Sequence, residues 1–161
     1  MRFNFLIDLP VRNDWANIDL LRTSILNCFS AIFHDLDGCH AFAMVAGELL
    51  ENAIKYGKWG DGDRLLHLRV WGGPNDANVQ VENPIEPDSR HVKDLLATLD
   101  WMRKFPGAEE AYRAKLVEVA AAPRDRSVSR LGLVRVAYEG NCRLDAEVLG
   151  DVLRVTSVMR F

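Results

Sequence analysis

The chain has too little cysteine to staple itself together. Cys28, Cys39 and Cys142 are its only three, scattered and without a CxxC pair. That pattern argues against a disulfide framework and against a zinc site, and small buried hydrophobes are the expected role of all three. His34, His40, His67 and His91 are likewise dispersed, without metal-ligand spacing. Charge of one sign is missing too. With 20 Lys+Arg against 23 Asp+Glu the formal net charge is −3, so no global basic field draws in nucleic acid or an anionic membrane. No apolar run approaches the roughly 20 residues of a membrane span. The opening "MRFNFLIDLPVRND" alternates apolar and polar and meets Pro10 early, unlike the continuous apolar core of a signal peptide. These absences point to a cytoplasmic protein without nucleic-acid or membrane partners. There is no internal repeat and no low-complexity stretch either.

What the chain does have is the make-up of one globular domain spanning 1–161, with 48% hydrophobic and 27% charged residues and enough length for a real core. "RFNFLID" alternates as a half-buried strand that ends near Pro10. Ile18, Leu21, Ile25, Phe29 and Ile32 recur at helical spacing from about Asn17 to His34, and "DLDG" is expected to close that helix. A second helix is expected from about Cys39 to Tyr56, followed by the glycine-rich loop "KWGDGD". "LLHLRVW" and "NVQVEN" form a hairpin around "GGPNDA". Residues 89–122 give two helices separated by Pro106-Gly107. "PRDRSVS" is a basic linker offering Ser127 or Ser129 as an N-cap. "RLGLVRVAYEG" gives another helix, and "CRLDAEVL" and "DVLRVTSVMRF" close the chain as strands around Gly150-Asp151. This mixture predicts an α+β sandwich, one sheet with helices packed on one face.

The segment "GELLENAIKYGKWG" raises a question of its own. Phe42, Val45, Leu49, Ala53 and Tyr56 form one apolar face of its helix, and Leu50 and Ile54 add apolar surface on the far side. Glu48, Asn52 and Lys55, at i, i+4 and i+7, fall on one narrow stripe between them. Such a stripe in an enclosed helix is either a solvated edge or the wall of a site. Glu51 with Lys55 also has the spacing of an ordinary helical ion pair.

This helix and the order of elements resemble the GHKL ATPases, the superfamily of histidine kinases, gyrase-type ATPases and anti-sigma-factor serine kinases. "ELLENAIKYG" is similar to the family's N box, with Glu48, Asn52, Ala53, Lys55 and Tyr56 matching position by position. The element order resembles the small single-domain anti-sigma kinase branch over nearly the whole chain. The resemblance implies a two-layer α/β sandwich of the GHKL (Bergerat) type, with a mixed sheet and helices on one face. It also implies ATP and Mg2+ as cofactors. Asn52 would ligate the metal, Glu48 would be the base or water-orienting carboxylate, and Lys55 would lie near phosphate oxygens.

Two further motifs are altered. Where the family carries Asp-x-Gly-x-Gly, this chain has "NPIEP", so Asn83 takes the position of the adenine-reading Asp, and Ile85 and Pro87 take those of the glycines. An Asn can still accept from an amino group through its amide oxygen. The same stretch also reads as a strand end followed by a Pro-containing turn. "SRLGLVRVAYEG" resembles the later glycine element whose helix start cradles phosphates. Gly132 and Leu133 match it, while Arg130 replaces the preceding glycine. Arg124, Arg126 and Arg130 either neutralise phosphates or form a solvated basic loop.

The helices of 89–122 stand where typical members have a glycine-rich ATP lid, a combination resembling the SiaB-like serine/threonine kinases of partner-switching systems. The resemblance implies a Mg-ATP-dependent kinase acting on a STAS-domain partner, with a homodimer left open. The alternative is a GHKL-fold binding module that sequesters its partner without catalysis. In it Trp101, Met102, Phe105 and Tyr112 would face the partner, unless they pack the insertion onto the domain.

Overall fold

The computed structural model describes residues 2–11, 18–32, 36–60, 64–121 and 128–160. Their order is β1 (Phe3–Pro10), α1 (Ile18–Ile32), α2 (Leu36–Tyr56), β2 (Leu65–Gly72), β3 (Asp76–Pro84), α3 (Arg90–Met102), α4 (Ala108–Ala121), α5 (Val128–Glu139), β4 (Cys142–Leu149) and β5 (Val152–Arg160). Five strands form one sheet in the order β1-β2-β3-β5-β4. With five helices beside it, the described chain is an α+β fold compatible with a two-layer sandwich.

The sheet is antiparallel throughout, not mixed as expected. The reason lies in the connections. Two helices join β1 to β2 and return the chain to the end it left, so the neighbours run in opposite directions. β3 and β4 do point the same way, but β5 is inserted between them and runs against both. No parallel pair is left in contact.

Helix boundaries follow local chemistry. Ser89 caps α3, its hydroxyl accepting from the Val92 N–H at 3.4 Å, and Pro106-Gly107 separates α3 from α4 as expected. Two boundaries differ from expectation. α2 starts at Leu36, so Asp37 and Gly38 open that helix, and Asp37 lies where the helix dipole favours an anion. α5 starts at Val128, which places Ser129 inside the helix. Ser127, Asn17 and His34 lie outside the described residues.

α2 is the central helix. Phe42, Val45, Ala46, Leu49, Leu50 and Ala53 are buried along it, enough apolar spacing to face both the sheet and α1. The Phe29 ring of α1 meets Phe42 with centroids 3.9 Å apart. The sheet answers with Leu66, Leu68, Val70, Val79 and Val81 in the same core. Trp59 fixes the end of α2, its indole N–H donating to the Ile54 carbonyl at 2.9 Å. Gly140 ends α5 against α2 so closely that a Cβ there would sit 2.3 Å from Val45. Cys39 and Cys142 are buried as expected, but Cys28 is exposed on α1. Burial pushes the Cys142 thiol above its ordinary range. Among the described residues no helix is long and apolar enough to cross a membrane.

Candidate functional site

A cavity of about 900 Å³ opens between α2, the sheet and the last three helices. Its apolar floor is made by Val81, Ile85, Leu153 and Val155, and α2 contributes Leu49, Ala53 and Tyr56 beside Asn52. The polar groups come from four elements. Asn52 enters from α2, Asn83 from the end of β3, Arg90, His91, Asp94 and Thr98 from α3, and Lys115 and Glu118 from α4; α5 adds Gly132 and Leu133.

Register explains Asn83. Inward positions of β3 alternate as Ala77, Val79 and Val81, all buried, and Asn83 is the next, 3% exposed. Its amide nitrogen donates to the Pro84 carbonyl at 3.2 Å, and its oxygen is the atom an amino group would need. The strand end is pinned on both sides. The Lys58 N–H donates to the Pro84 carbonyl at 2.8 Å, and the Ile85 N–H donates to the Asp151 carbonyl at 2.8 Å. Ile85 itself is buried and lines the cavity. Pro87 lies in the exposed turn that follows.

The polar stripe of α2 divides. Asn52 lines the cavity. Glu48, one turn earlier, is instead held by Arg135 of α5, whose Nη2 donates to its carboxylate at 3.0 Å. Lys55 is exposed, with its ammonium 5.3 Å from the centre of the Tyr56 ring. Four residues of helix cover about 6 Å of axis, enough for one stripe to serve a helix contact, a cavity and solvent in succession. Neither Glu48 nor Lys55 lines the cavity.

Gly132 is the fifth residue of α5, so its N–H falls beyond the free amides of the first turn. What it supplies is room, since a Cβ there would meet no atom within 4 Å. Arg130 lies in α5, but its side chain, with all of Arg124 and Arg126, is outside the described residues.

The helical insertion is packed down. Tyr112 stacks on Tyr138 of α5 at 4.6 Å and 7°, Trp101 meets Phe105 at 4.6 Å, and Met102 packs against the core. Arg103 at the end of α3 forms an ion pair with Asp145 of β4. His91 lies against Tyr56 at 4.2 Å, closing one side of the cavity.

The groups that α3 and α4 bring belong to none of the sequence motifs. Arg90, Asp94 and Thr98 recur every four residues, the same stripe signal that singled out Glu48 and Asn52. Lys115 and Glu118 gave no such signal, because a single Lys-x-x-Glu is common on any exposed helix.

Among the described residues no group of three or more His, Cys, Asp or Glu is arranged to hold a metal. Mg2+ does not require one, since it keeps waters and takes one or two protein oxygens beside ligand phosphates. The Asn52 amide oxygen lines the cavity and is a hard oxygen donor of the kind that Mg2+ accepts beside ligand phosphates. Comparison with known protein families and with curated proteins finds no match to this chain.

Proposed function

We propose that this chain is an ATP-binding signalling regulator of the GHKL type, a cytoplasmic Mg-ATP-dependent serine/threonine kinase acting on a STAS-type protein partner. One observation carries the reading. Asn52, Asn83 and the Gly132-Leu133 pair lie on three separate motifs of the sequence, and all of them line the same cavity. A cavity of about 900 Å³ is also within the range that small-molecule and cofactor sites occupy.

In this reading the Asn83 oxygen accepts from the adenine amino group, and the apolar floor holds the ring. Asn52 would hold Mg2+, which when bound would supply charge neutralisation for phosphoryl transfer. Glu48 takes the proton of the partner's hydroxyl, for which it must first leave Arg135.

That last requirement favours a second reading. A carboxylate committed to an ion pair outside the cavity suits a module that binds nucleotide or partner without catalysis. Incubation with Mg-ATP and a purified STAS-domain protein, followed by mass spectrometry of the partner, separates the two. A phosphorylated Ser or Thr that is lost with Glu48→Gln supports the kinase. Nucleotide binding without transfer supports the module.

A further inference from the structure

The α3–α4 insertion carries a charged group for which the fold has no evident use. Lys115 of α4 is 6% exposed, and lysine is almost never buried that far without a partner. Its partner is Glu118 in the same helix, with Nζ donating to both carboxylate oxygens at 2.8 Å. The Trp101 ring of α3 lies 5.0 Å from the ammonium. Lys115 and Glu118 both line the cavity.

The ion pair lies within one helix, and of these two contacts only the one with Trp101 reaches a second element. Apolar side chains in place of buried charges are commonly neutral or stabilising, so packing alone gives no reason for the buried Lys115 ammonium. The two partners also differ in their surroundings. The Lys115 side chain is 8% exposed, whereas that of Glu118 is 50% exposed. The carboxylate can therefore turn to water while the ammonium stays where it is. A ligand anion arriving there meets a cation already stripped of water and backed by an aromatic ring.

We propose that Lys115 is an anion-binding group of the cavity, with Glu118 as its exchangeable counter-ion, and that it takes phosphate oxygens of the nucleotide. Naming a nucleotide phosphate rests on the ATP-binding reading; the exchangeable pair itself does not.

The test is calorimetry on the full chain with adenosine, ADP and pyrophosphate, in the wild type, Lys115→Met and Glu118→Gln. Lys115→Met is expected to weaken ADP about tenfold, the worth of one charge-assisted hydrogen bond. Glu118→Gln is expected to tighten ADP severalfold, and adenosine is expected to bind all three alike. Glu118→Gln keeps the size and shape of the side chain. An unchanged ratio of ADP to adenosine affinity in that variant overturns the proposal even where Lys115→Met does not fold. Should the wild type bind neither adenosine nor ADP, the nucleotide reading fails and pyrophosphate decides the anion site. Pyrophosphate binding tightened by Glu118→Gln then supports the site, and no binding overturns it.

Discussion

Arg135 of α5 holds the Glu48 carboxylate of α2 at 3.0 Å, while Asn52, one turn further along α2, opens into the cavity. The polar members of one motif are thus split between a helix–helix contact and a cavity. Replacing Arg135 with Met should release Glu48. The Arg135 side chain is 42% exposed, so the loss in stability should stay within about 1 kcal/mol, as for other solvent-screened pairs. ATP hydrolysis by the variant should rise severalfold, read from phosphate release. An unchanged rate would mean that the ion pair does not restrain Glu48.

Gly132 and Gly140 predict opposite outcomes for the same substitution. Gly140→Ala drives a Cβ to 2.3 Å from Val45 and 2.8 Å from the Val136 carbonyl, and should cost about 1–3 kcal/mol in urea unfolding, as overpacking does. Gly132→Ala meets no atom within 4 Å and should stabilise α5 by about 0.5–1 kcal/mol through helix propensity. Because the added methyl points into space beside the cavity, ATP binding should weaken in this more stable variant.

Phe42 is fully buried, with its ring against Phe29 of α1. Phe42→Ala should cost about 3–5 kcal/mol, whereas Leu6→Ala, on a side chain 64% exposed, should stay within about 0.5 kcal/mol. Chemical denaturation of the two variants side by side checks the core assignment.

The cysteines give a pH test. Cys28 is exposed and Cys142 buried, so a thiol reagent at pH 8 should label Cys28 fast and Cys142 only after unfolding. Burial raises the folded Cys142 pKa above its ordinary 9.0, so the folded state keeps this proton where the unfolded chain has lost it. The sign follows: stability is unaffected below about pH 9 and falls as the pH climbs from there through the folded pKa. Melting at pH 8 and pH 10.5 should show that fall, and Cys142→Ala should reduce it.

Much of the architecture was legible in the chain. Alternation in "LLHLRVW" and "NVQVEN" located the central hairpin, and the spacing of Phe42, Val45, Leu49 and Ala53 located the buried helix, because both report a local period against one core. Strand direction was not legible. The antiparallel sheet depends on β5 lying between β3 and β4, a long-range pairing that no local period records. The lining of the cavity was legible in the same uneven way. Asn52, Asn83 and Gly132 stood out by motif, whereas the burial of Lys115 depends on Trp101 approaching from another helix. The position of Glu48 depends on Arg135, distant in sequence, and no stripe on α2 could have shown it.

The most direct test of the account is ATP binding by calorimetry, with and without Mg2+, in the wild type and Asn52→Ala. Asn52 is only half-buried, so the variant should fold. The account predicts binding in the micromolar range that needs Mg2+ and is lost in Asn52→Ala. A folded wild-type protein that gives no heat at millimolar ATP would contradict it.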